Sequence, residues 1–499
     1  MMFLTVSTLW VWPAVLVAAC ILPLVLHLYD PYGIRKYPGP FLAKFSYAWI
    51  FWVGISGRRS QIIHEAHDKY GAVIRISPRE VSFSSPSVYS EIHSFSSKAT
   101  KSNFYDTFGS IGVRNVFTSR SKADHVQRRK LLHPLFTAQV TREFTPRTVS
   151  LVEQLLNEWE SRFVDGKYFD CVPWIVWLAF DSIGDFIFGT SLGMLNSRSD
   201  SVPFVRKSDE KTISLPGIIS MREQYNYPVG LLPVWWRPLA RRIVSKEIEA
   251  ARTYHAFVAH RVEQRLSRNA GLQSEDVYDL VGRFLKKSKA QNEAFHPDAL
   301  TSELNTILVA GTDTTRNSLI AAIYYLARSP DAQRTLQAEL DSSPTQDISA
   351  LPFLNACLNE TLRLYSPVGI GLPRTVPHPG MLIAGEWFVG GTTVGVPIYT
   401  VHRDENIWGA RTEEFEPRRW LSEDGRELRM DADALKTFSD GSMRCIGKHL
   451  ALAQLRVMIA AIFKRFDVIL ENPEAPLHTE EWFVRKAIEC KIGVRRRGV

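Results

Sequence analysis

The chain has 499 residues, 45% of them hydrophobic, and its 60 Lys and Arg against 52 Asp and Glu give a formal net charge of +8. This apolar content is enough for a sizeable core, and the mild positive charge is too evenly spread for a nucleic-acid-binding footprint. The charge would suit an anionic membrane surface or an acidic protein partner. Five cysteines without regular spacing argue against a disulfide framework and for a reducing compartment.

The N-terminal segment is predicted to anchor the protein in a membrane. No Asp, Glu, Lys or Arg occurs from Phe3 to Leu28, a length that can span a bilayer as a helix. Arg35 and Lys36 follow this apolar run, and the positive-inside rule therefore places the rest of the chain in the cytosol. We predict a single-pass anchor over residues 1–29 and a cytosolic body over residues 30–499.

A cleaved leader is the alternative interpretation of this segment. The apolar run has no positive charge before it, which disfavours a secretory signal peptide. The residues Val17–Cys20, with the sequence VAAC, resemble a lipoprotein cleavage box, so the alternative stays open.

The body is predicted to be one mainly α-helical domain with small β-sheets. Prolines and glycines within residues 31–40 predict a stiff, non-helical neck, and no repeat, low-complexity tract or interior linker follows it. Alternating apolar and polar residues predict a β-hairpin over Ala72–Phe83, and a second group of strands is predicted over Leu382–Val396. Helical spacing of apolar residues predicts helices that include the stretches Val152–Phe163, Ala179–Phe188 and Leu300–Arg328.

The segment Tyr225–Leu239 differs from its surroundings because prolines, tryptophans and aliphatic residues lie close together in it. Its prolines are expected to exclude a long helix. Two interpretations remain open for this apolar segment. It is either a buried crossing of the core or a segment that enters the lipid interface, where Trp is favoured.

One cysteine lies in a glycine-containing stretch directly before an apolar helical run. The stretch is Phe438–Gly447, with the sequence FSDGSMRCIG. A thiolate can ligate a metal, and backbone N–H groups together with the positive end of the next helix would stabilise its charge. Gly441 and Gly447 would let the backbone pass close to a flat ligand, where a Cβ would collide. A buried structural cysteine is the alternative for Cys445.

The predicted helix Leu300–Arg328 contains an unusual polar motif, AGTDTT, at Ala310–Thr315. The Thr314 hydroxyl can donate to the carbonyl of Ala310, four residues back, which would bend or bulge the helix. Asp313 and Thr314 could together hold water and relay protons as a general acid. A locally polar contact between helices is the alternative.

A charged pair lies on another apolar helix. Glu360 and Arg363 are three residues apart and therefore share one helix face. Because the helix around them is apolar, we predict a buried network, with Arg419 of the Arg-Arg-Trp segment as its third member.

Taken in this order, the AGTDTT helix, the carboxylate–arginine pair, the Arg-Arg-Trp segment and the cysteine stretch resemble the cytochrome P-450 family over essentially the whole chain. The stretches Tyr37–Lys44, Gly371–Pro377 and Val396–Asp404 are similar to fungal microsomal members. Within that group the sequence resembles benzoate para-hydroxylases and the secondary-metabolite tailoring enzymes similar to them.

The resemblance implies a cofactor and roles for the motif residues. It implies a single large P-450-type domain behind the membrane helix, and haem b as the cofactor with Cys445 as its axial thiolate. Asp313 and Thr314 would deliver protons to dioxygen, and the carboxylate–arginine network would be structural. The other cofactor-binding residues implied are Phe438, Gly441 and Gly447 of the loop and, as partners of the haem propionates, His125, Arg129 and Arg374.

Three positions depart from the family pattern. Met443 stands where the family usually has Arg, His125 where it often has Trp, and Arg418 where Glu is common. Met443 cannot donate a hydrogen bond to a propionate, and Arg444 is expected to point outward because successive side chains alternate in extended backbone. An acidic flavoprotein reductase is expected to dock on the cysteine side of the haem, on the basic residues Lys436, Arg444, Lys448 and Arg128–Lys130.

The resemblance therefore predicts an endoplasmic-reticulum-anchored monooxygenase that inserts one oxygen atom from O2 into an apolar small molecule. Electrons would come from NADPH through NADPH–cytochrome P-450 reductase; membrane lipid is a further partner, and no nucleic acid is expected. The alternatives are desaturation or rearrangement at the same site, a benzoate-type small-aromatic hydroxylase, and a haem protein that binds a ligand without turnover. A pure binder would not need Asp313 and Thr314.

The substrate is predicted from the residues that the resemblance places around the pocket, which are Phe104–Phe108, Thr306–Thr315, Val368–Leu372 and Trp482–Val484. Most of them are apolar, and they include no evident anchor for a charged substrate. We therefore predict an apolar, ring-containing secondary metabolite such as a terpenoid or polyketide. Benzoate would require a cationic or hydrogen-bonding anchor.

Overall fold

The computed structural model describes residues 21–109, 113–164, 167–206, 209–243, 245–269, 278–291, 297–342, 347–422 and 434–498. The helices are α1 (residues 21–29), α2 (Phe41–Phe45), α3 (Ala48–Ile55), α4 (Arg59–Tyr70), α5 (Pro86–His93), α6 (Lys122–Leu132), α7 (Ala138–Phe163), α8 (Val172–Phe188), α9 (Met194–Ser197), α10 (Leu215–Leu231), α11 (Arg237–Ile243), α12 (Ser245–Asn269), α13 (Leu280–Gln291), α14 (Pro297–Arg328), α15 (Pro330–Ser342), α16 (Pro352–Leu364), α17 (Ile398–Val401), α18 (Glu405–Trp408) and α19 (Lys448–Arg465). Short 3-10 helices lie at Asn103–Phe108, His133–Phe136, Ile348–Ala350, Pro417–Trp420 and Gly441–Met443.

The strands form several small sheets at the edges of the helical body. They are β1 (Val73–Ser77), β2 (Glu80–Phe83), β3 (Thr100–Lys101), β4 (Phe169–Asp170), β5 (Ser201–Arg206), β6 (Asp209–Ser214), β7 (Arg374–Thr375), β8 (Gly380–Ile383), β9 (Glu386–Val389), β10 (Thr393–Gly395), β11 (Phe466–Leu470), β12 (His478–Glu481), β13 (Arg485–Glu489) and β14 (Lys491–Arg496). One sheet has the order β1-β2-β10-β7-β3, a second has the order β11-β14-β4, and the remaining strands pair as β5–β6, β8–β9 and β12–β13. The prediction of a mainly helical domain with small sheets is confirmed.

Helix α14 lies at the centre of the helical body. Its stretch Leu319–Ala327 consists of apolar and tyrosine side chains on all sides, and Leu319–Ile323 are almost fully buried. Such a helix must be enclosed by other elements, and α8, α12, α16 and α19 pack around it. The sequence places this helix correctly, and its start, Pro297, lies three residues before the predicted one.

The predicted β-hairpin is present, and its sheet brings distant segments together. β1 and β2 pair antiparallel, with Val73 opposite Phe83. β10 then adds to β2 in parallel, and β7 and β3 follow, so that Lys101 of β3 lies directly opposite Arg374 of β7. The strands predicted over Leu382–Val396 correspond to β8–β10, whereas the sheet of β11, β14 and β4 was not predicted.

The segment Tyr225–Leu239 corrects one expectation. Its prolines do not exclude a long helix, because α10 continues to Leu231 with Pro228 in its last turn. Proline removes the hydrogen bond to the carbonyl four residues back, and that residue, Gln224, is exposed, so water can satisfy the carbonyl. Tyr227 and Leu231 are buried, whereas the turn that follows α10 exposes Trp235 and Trp236 by 75% and 46%. The buried interpretation therefore holds for the first half of the segment only.

The predicted anchor falls mainly on residues 1–20, which lie outside the described part of the chain, as does the VAAC stretch. Residues 21–29 are helical, and the neck over residues 31–40 is free of helix and strand, as predicted. Among the residues that the structure describes, no helix combines the length and apolar character needed to cross a membrane.

Candidate functional site

A cavity of about 360 Å³ contains the motifs found in the sequence. Its walls come from α6, α8, α10, α14 and α19, from the short strands β3 and β7, and from the loop Phe438–Gly447. Apolar side chains such as Ile183, Phe186 and Val309 form most of the lining. The polar motif of α14 and the cysteine loop therefore face the same space.

Cys445 lies in the loop that precedes α19. Its backbone N–H donates to the carbonyl of Phe438 at 2.8 Å, which closes the loop. The side chain lines the cavity and is exposed, whereas Cys171, Cys357 and Cys490 are buried, and all four are free thiols. Among the described cysteines, only Cys445 is therefore placed to ligate a group in the cavity.

The loop stabilises a thiolate only in part. The surface of Cys445 is open to the cavity, but protein surrounds that cavity, and this burial raises the pKa of the thiol above its ordinary value. The N–H of Gly447, which donates to the sulfur, and the charges of Arg129 and Lys448 act in the opposite direction. A metal cation bound to the sulfur would supply the remaining stabilisation, because a coordinating thiol is deprotonated outright.

The two glycines of the loop, Gly441 and Gly447, differ in their surroundings. Gly441 has φ +66°, and a Cβ there would meet the carbonyl oxygen of His93 at 2.0 Å. The close approach that requires glycine here is therefore to the end of α5, and the cofactor contact of Gly441 stays a prediction. Gly447 lines the cavity, and the described residues leave the space beside it open, so its contact with the cofactor stays a prediction.

Three predicted partners of the haem propionates, His125 and Arg129 of α6 and Arg374 of β7, line the cavity together. Lys101 joins them because β3 pairs with β7. Sequence reasoning missed Lys101, since a lysine in a two-residue strand has no local signal. Only the strand pairing could have revealed it.

These side chains bind neutral partners. Lys101 Nζ donates to two backbone carbonyls at 2.7 and 2.9 Å, Arg129 to one at 2.8 Å, and Arg374 to the Tyr105 hydroxyl at 2.7 Å. Within the described residues, none of the four forms an ion pair with an acid. The cluster, called the cationic cluster below, is therefore a group of basic side chains to which the described residues supply no carboxylate partner.

The charges of this cluster act on one another. Burial, followed by the charge of Arg374, lowers the pKa of Lys101 to about 7, and burial, followed by the charge of Lys101, lowers the pKa of His125 to about 4. A bound anion would relieve this repulsion and accept charge-assisted hydrogen bonds. The carboxylates of haem are such anions, so the thiol and the cationic cluster fit a haem cofactor.

Met443, which stands where the family pattern has an arginine, changes the cavity wall. The Met443 side chain lines the cavity, so a thioether occupies a place where the family usually has a cation. Arg444 is exposed and also borders the cavity, and its carbonyl accepts the hydrogen bond from Arg129. Arg418 is exposed as well and lies outside the buried network, which explains why replacing the common Glu is tolerated there.

Asp313 and Thr314 lie in different environments. Thr314 lines the cavity, and its hydroxyl donates to the Ala310 carbonyl at 2.7 Å, as predicted, although α14 remains an uninterrupted α-helix. Asp313 is only 1% exposed, and it accepts from Arg316 at 2.9 Å and contacts Lys486 Nζ at 3.2 Å. Burial alone would raise the pKa of Asp313, but Lys486 and Arg316 hold it below its ordinary value.

Charged residues also line the cavity, which corrects the expectation that no such anchor exists. Arg222, Glu223 and Asn226 of α10 are part of the wall. Lys486 of β13 lies 2.8 Å from a Glu223 carboxylate oxygen. Burial raises the pKa of Glu223, against the lowering effect of Lys486. No local motif marks these residues, because α10, α14 and β13 are far apart in the chain.

The predicted pocket residues are confirmed in part. Phe108, Leu372 and Phe483 line the cavity, as do most residues of Thr306–Thr315. Phe104 and Ile370, by contrast, belong to the hydrophobic core behind the cavity wall.

The carboxylate–arginine network is buried as predicted. Arg363 Nε donates to Glu360 at 2.8 Å, Arg419 Nε donates to Glu360 at 2.9 Å, and the Trp420 indole N–H adds a bond at 2.9 Å. Glu360 and Arg363 are 0% exposed. Because these residues do not belong to the cavity lining, their role is structural: they join α16 to the segment Pro417–Trp420.

The basic surface near Cys445 is smaller than predicted. Arg444, Lys448 and Lys130 are exposed. Lys436 is only 3% exposed and forms an ion pair with Asp440 at 2.6 Å, so it cannot contribute to a docking surface. Arg128, moreover, is ion-paired with Asp124 and Glu303, and Arg129 faces the cavity.

Comparison with known proteins agrees with this geometry. The family profile named Cytochrome P450 matches residues 38–494. A benzoate 4-monooxygenase of Aspergillus niger is 30% identical, and the alignment covers 95% of this chain and 96% of that protein. A cytochrome P450 monooxygenase of Penicillium aethiopicum is 26% identical over 93% of this chain and 94% of its own. A pisatin demethylase of Fusarium vanettenii is 28% identical over 93% of this chain and 89% of its own. Proteins of this family bind haem through an axial cysteine thiolate, and the chain belongs to the cytochrome P450 family.

Proposed function

We propose that the protein inserts one oxygen atom of O2 into an apolar small molecule, as a tailoring step in fungal secondary-metabolite biosynthesis. One oxygen atom enters the substrate as a hydroxyl and the other leaves as water, which consumes two electrons and two protons. NADPH would supply the electrons through a separate NADPH–cytochrome P-450 reductase. The observation that carries the proposal is that Thr314, Cys445 and the cationic cluster line one and the same cavity.

The cofactor roles follow from the positions of these side chains. Haem, when bound, supplies an iron centre that activates dioxygen, and an axial thiolate favours O–O cleavage. Cys445 would be that ligand. Its loop runs from Phe438 to Gly447 and is closed by the hydrogen bond from the Cys445 N–H to the Phe438 carbonyl. The propionates would be held by Lys101, His125, Arg129 and Arg374, the four residues of the cationic cluster.

Proton delivery is assigned to Thr314 and Asp313. The Thr314 hydroxyl reaches the cavity and can hold a water molecule beside the reacting site. Asp313, the adjacent residue behind the wall, is kept ionised by Lys486 and Arg316, so it would relay protons by accepting each one before passing it on. A haem protein that binds a ligand without turnover remains the alternative, and the hydroxyl in the cavity favours turnover.

The test of this function is product formation by Thr314→Ala in the purified full chain with reductase, NADPH and isotope-labelled dioxygen. We expect the variant to retain haem and consume NADPH while product falls roughly 10²–10⁴-fold, because electrons are diverted to peroxide when proton delivery fails. Thr312→Ala is the matched control. Its hydroxyl also donates to the carbonyl four residues back, at 2.7 Å, but the side chain is buried outside the cavity. An unchanged yield of labelled product per NADPH in Thr314→Ala would contradict the role.

The substrate is proposed to be a ring-containing apolar metabolite, because Phe108, Phe186 and Phe483 are among the apolar residues that line the cavity. A benzoate-type small-aromatic hydroxylase is the second candidate. Two observations favour it: the 30% identity to a protein named benzoate 4-monooxygenase, and Arg222 on the cavity wall. Efficient conversion of benzoate by the purified system would decide for this second candidate.

Membrane attachment in the endoplasmic reticulum, with an anchor over residues 1–29 and a cytosolic domain over residues 30–499, remains part of the proposal. The uncharged stretch Phe3–Leu28 supports it. So do the exposed apolar side chains of the helical residues 21–29 and the exposed Trp235 and Trp236. The exposed residues Arg444, Lys448 and Lys130 support docking of an acidic reductase on the cysteine side.

A further inference from the structure

Helix α10 presents a face with two polar side chains, Glu223 and Asn226, to the cavity. Ile219, Glu223 and Asn226 are spaced i, i+4 and i+7, which places them on one helix face, and all three line the cavity. The Glu223 side chain is only 8% exposed and Asn226 only 9%. A carboxylate is costly to bury in a wall made otherwise of apolar side chains, and the roles assigned above to the cofactor and to proton delivery do not require it.

The charge of Glu223 is balanced by a chain of buried ion pairs. Lys486 Nζ lies 2.8 Å from Glu223 and 3.2 Å from Asp313, and Asp313 also pairs with Arg316 at 2.9 Å. With Glu223 ionised, these four residues comprise two anions and two cations, so the group is neutral as a whole. A carboxylate can accept about four hydrogen bonds, and the ion pair with Lys486 engages only one of the two Glu223 oxygens, Oε2. Glu223 therefore retains acceptor capacity toward the cavity.

This balance restricts the ligand group that Glu223 can bind. A cationic group would add positive charge to a wall that already holds Lys486, Arg316 and Arg222. An anionic group beside the Glu223 carboxylate would be repelled by it, so an anion could bind only toward Arg222, and the carboxylate probe below tests that alternative. A neutral hydroxyl adds no charge and can donate a hydrogen bond to Glu223, and the Asn226 amide can take part in a second one.

We propose that the substrate is an apolar molecule that already carries a hydroxyl group, which donates a hydrogen bond to Glu223 and is oriented by Asn226. The inference rests on the proposed monooxygenase function and specifies its substrate class. Glu223 and Asn226 are then specificity-determining residues. The reaction that supplies the substrate must leave a hydroxyl on an apolar skeleton, as a carbonyl reduction or an earlier oxygenation does.

The experiment is calorimetric titration of the haem-loaded full chain with four probes that share one ring system. They are naphthalene, 2-naphthol, 2-naphthoate and 2-naphthylmethylammonium. We expect 2-naphthol to bind about ten-fold or more tightly than each of the other three, since a hydrogen bond to a charged group contributes about that much. Glu223→Leu should abolish this preference, Glu223→Gln should keep part of it through its amide oxygen, and Asn226→Leu should reduce it.

Gln224→Ala is the control, because Gln224 lies on the same helix but is exposed. It should leave the preference unchanged. The thiolate-type spectrum of the reduced, CO-bound protein confirms that each variant is folded and loaded. Asn226→Leu leaves the ion pairs intact and keeps the proposal testable if Glu223→Leu does not fold.

Three outcomes would overturn the proposal. Equal binding of naphthalene and 2-naphthol by the unmodified protein would remove the preference on which it rests. Retention of the preference in Glu223→Leu, or in Asn226→Leu if the first variant does not fold, would show that these residues only neutralise Lys486 or fill space. Tighter binding of the carboxylate or the ammonium probe would assign the wall to a charged ligand. Failure of the monooxygenase function is distinguishable, because turnover would be absent while the binding preference remained.

Discussion

Cys445 is the residue on which the proposed cofactor site depends, because among the described cysteines it alone lines the cavity. We expect Cys445→Ser to lose the strongly red-shifted Soret band that the reduced, CO-bound form of a thiolate-ligated haem protein shows. A serine hydroxyl remains protonated and cannot replace the thiolate. Cys357→Ser and Cys490→Ser should keep the band, since both residues are buried. A normal band in the Cys445 variant would refute the ligand assignment.

Met443 and Arg444 provide a second test at the scale of single residues. Met443 lines the same cavity as Arg129, and an arginine at position 443 would add a charged hydrogen bond to a propionate, worth about 1.5–3 kcal/mol. We therefore expect Met443→Arg to slow haem loss to apomyoglobin with little change in reductase dependence. Arg444 is exposed but also borders the cavity. If its side chain points outward, as predicted, Arg444→Ala should raise the reductase concentration at half-maximal turnover and leave haem content unchanged. Haem loss from Arg444→Ala with an unchanged reductase titration would instead make Arg444 the propionate partner.

At the scale of elements, the turn between α10 and α11 exposes two tryptophans, Trp235 and Trp236, and therefore tests the proposed membrane contact. Arg237 fixes the turn, with bonds to the carbonyls of Leu232 and Gly230 at 3.0 and 2.8 Å, and this leaves Trp235 and Trp236 on the outside. Trp is favoured at the lipid interface. For a chain that begins at residue 30, we expect replacement of both tryptophans by Ser to lower binding to phospholipid vesicles several-fold in a flotation assay.

The control for this experiment is Phe95→Ser, a change of an equally exposed aromatic side chain that follows α5 near the cysteine loop. This variant should float with the vesicles as the unmodified chain does. Equal loss in both variants would indicate general stickiness, and no loss in either would argue against a membrane contact at this turn.

At the scale of the whole molecule, His402 joins the α16 network to the cysteine loop. Its Nδ1 faces the Arg363 carbonyl at 3.1 Å, and its Nε2 accepts from the Lys436 N–H at 2.9 Å. This arrangement needs a neutral ring, and burial, followed by the charge of Arg363, lowers the pKa of His402 to about 3. Below pH 6.5 the His402 ring binds a proton in the unfolded chain but not in the folded protein. The free energy of unfolding therefore decreases as the pH is lowered from 6.5 to about 3.

The test compares the free energy of unfolding of the haem-loaded protein and of His402→Gln between pH 7 and pH 4. Glutamine can donate and accept at the same sites without titrating. The stability of the unmodified protein relative to the variant should therefore fall by at most about 1.4 kcal/mol per pH unit below pH 6.5. Parallel pH profiles would show that the His402 ring does not impose this dependence.

The sequence by itself determined the features that depend on local spacing. The AGTDTT helix, the Glu360–Arg363 pair and the cysteine stretch were identified because helical periodicity and short motifs are written in consecutive residues. The same reasoning located the first hairpin at Ala72–Phe83. It failed at Pro228, where the cost of a proline depends on whether the carbonyl four residues back reaches water.

Only the tertiary structure decided which charges meet. Lys101 and Arg374 are 273 positions apart and become neighbours through the pairing of β3 with β7. Lys436 looked like a surface residue in the sequence, but packing buries it against Asp440. Packing likewise brings Glu223 of α10 to Lys486 of β13. Such contacts have no local signal, because burial and electrostatic pairing depend on how distant segments pack, whereas periodicity is set by the geometry of the chain itself.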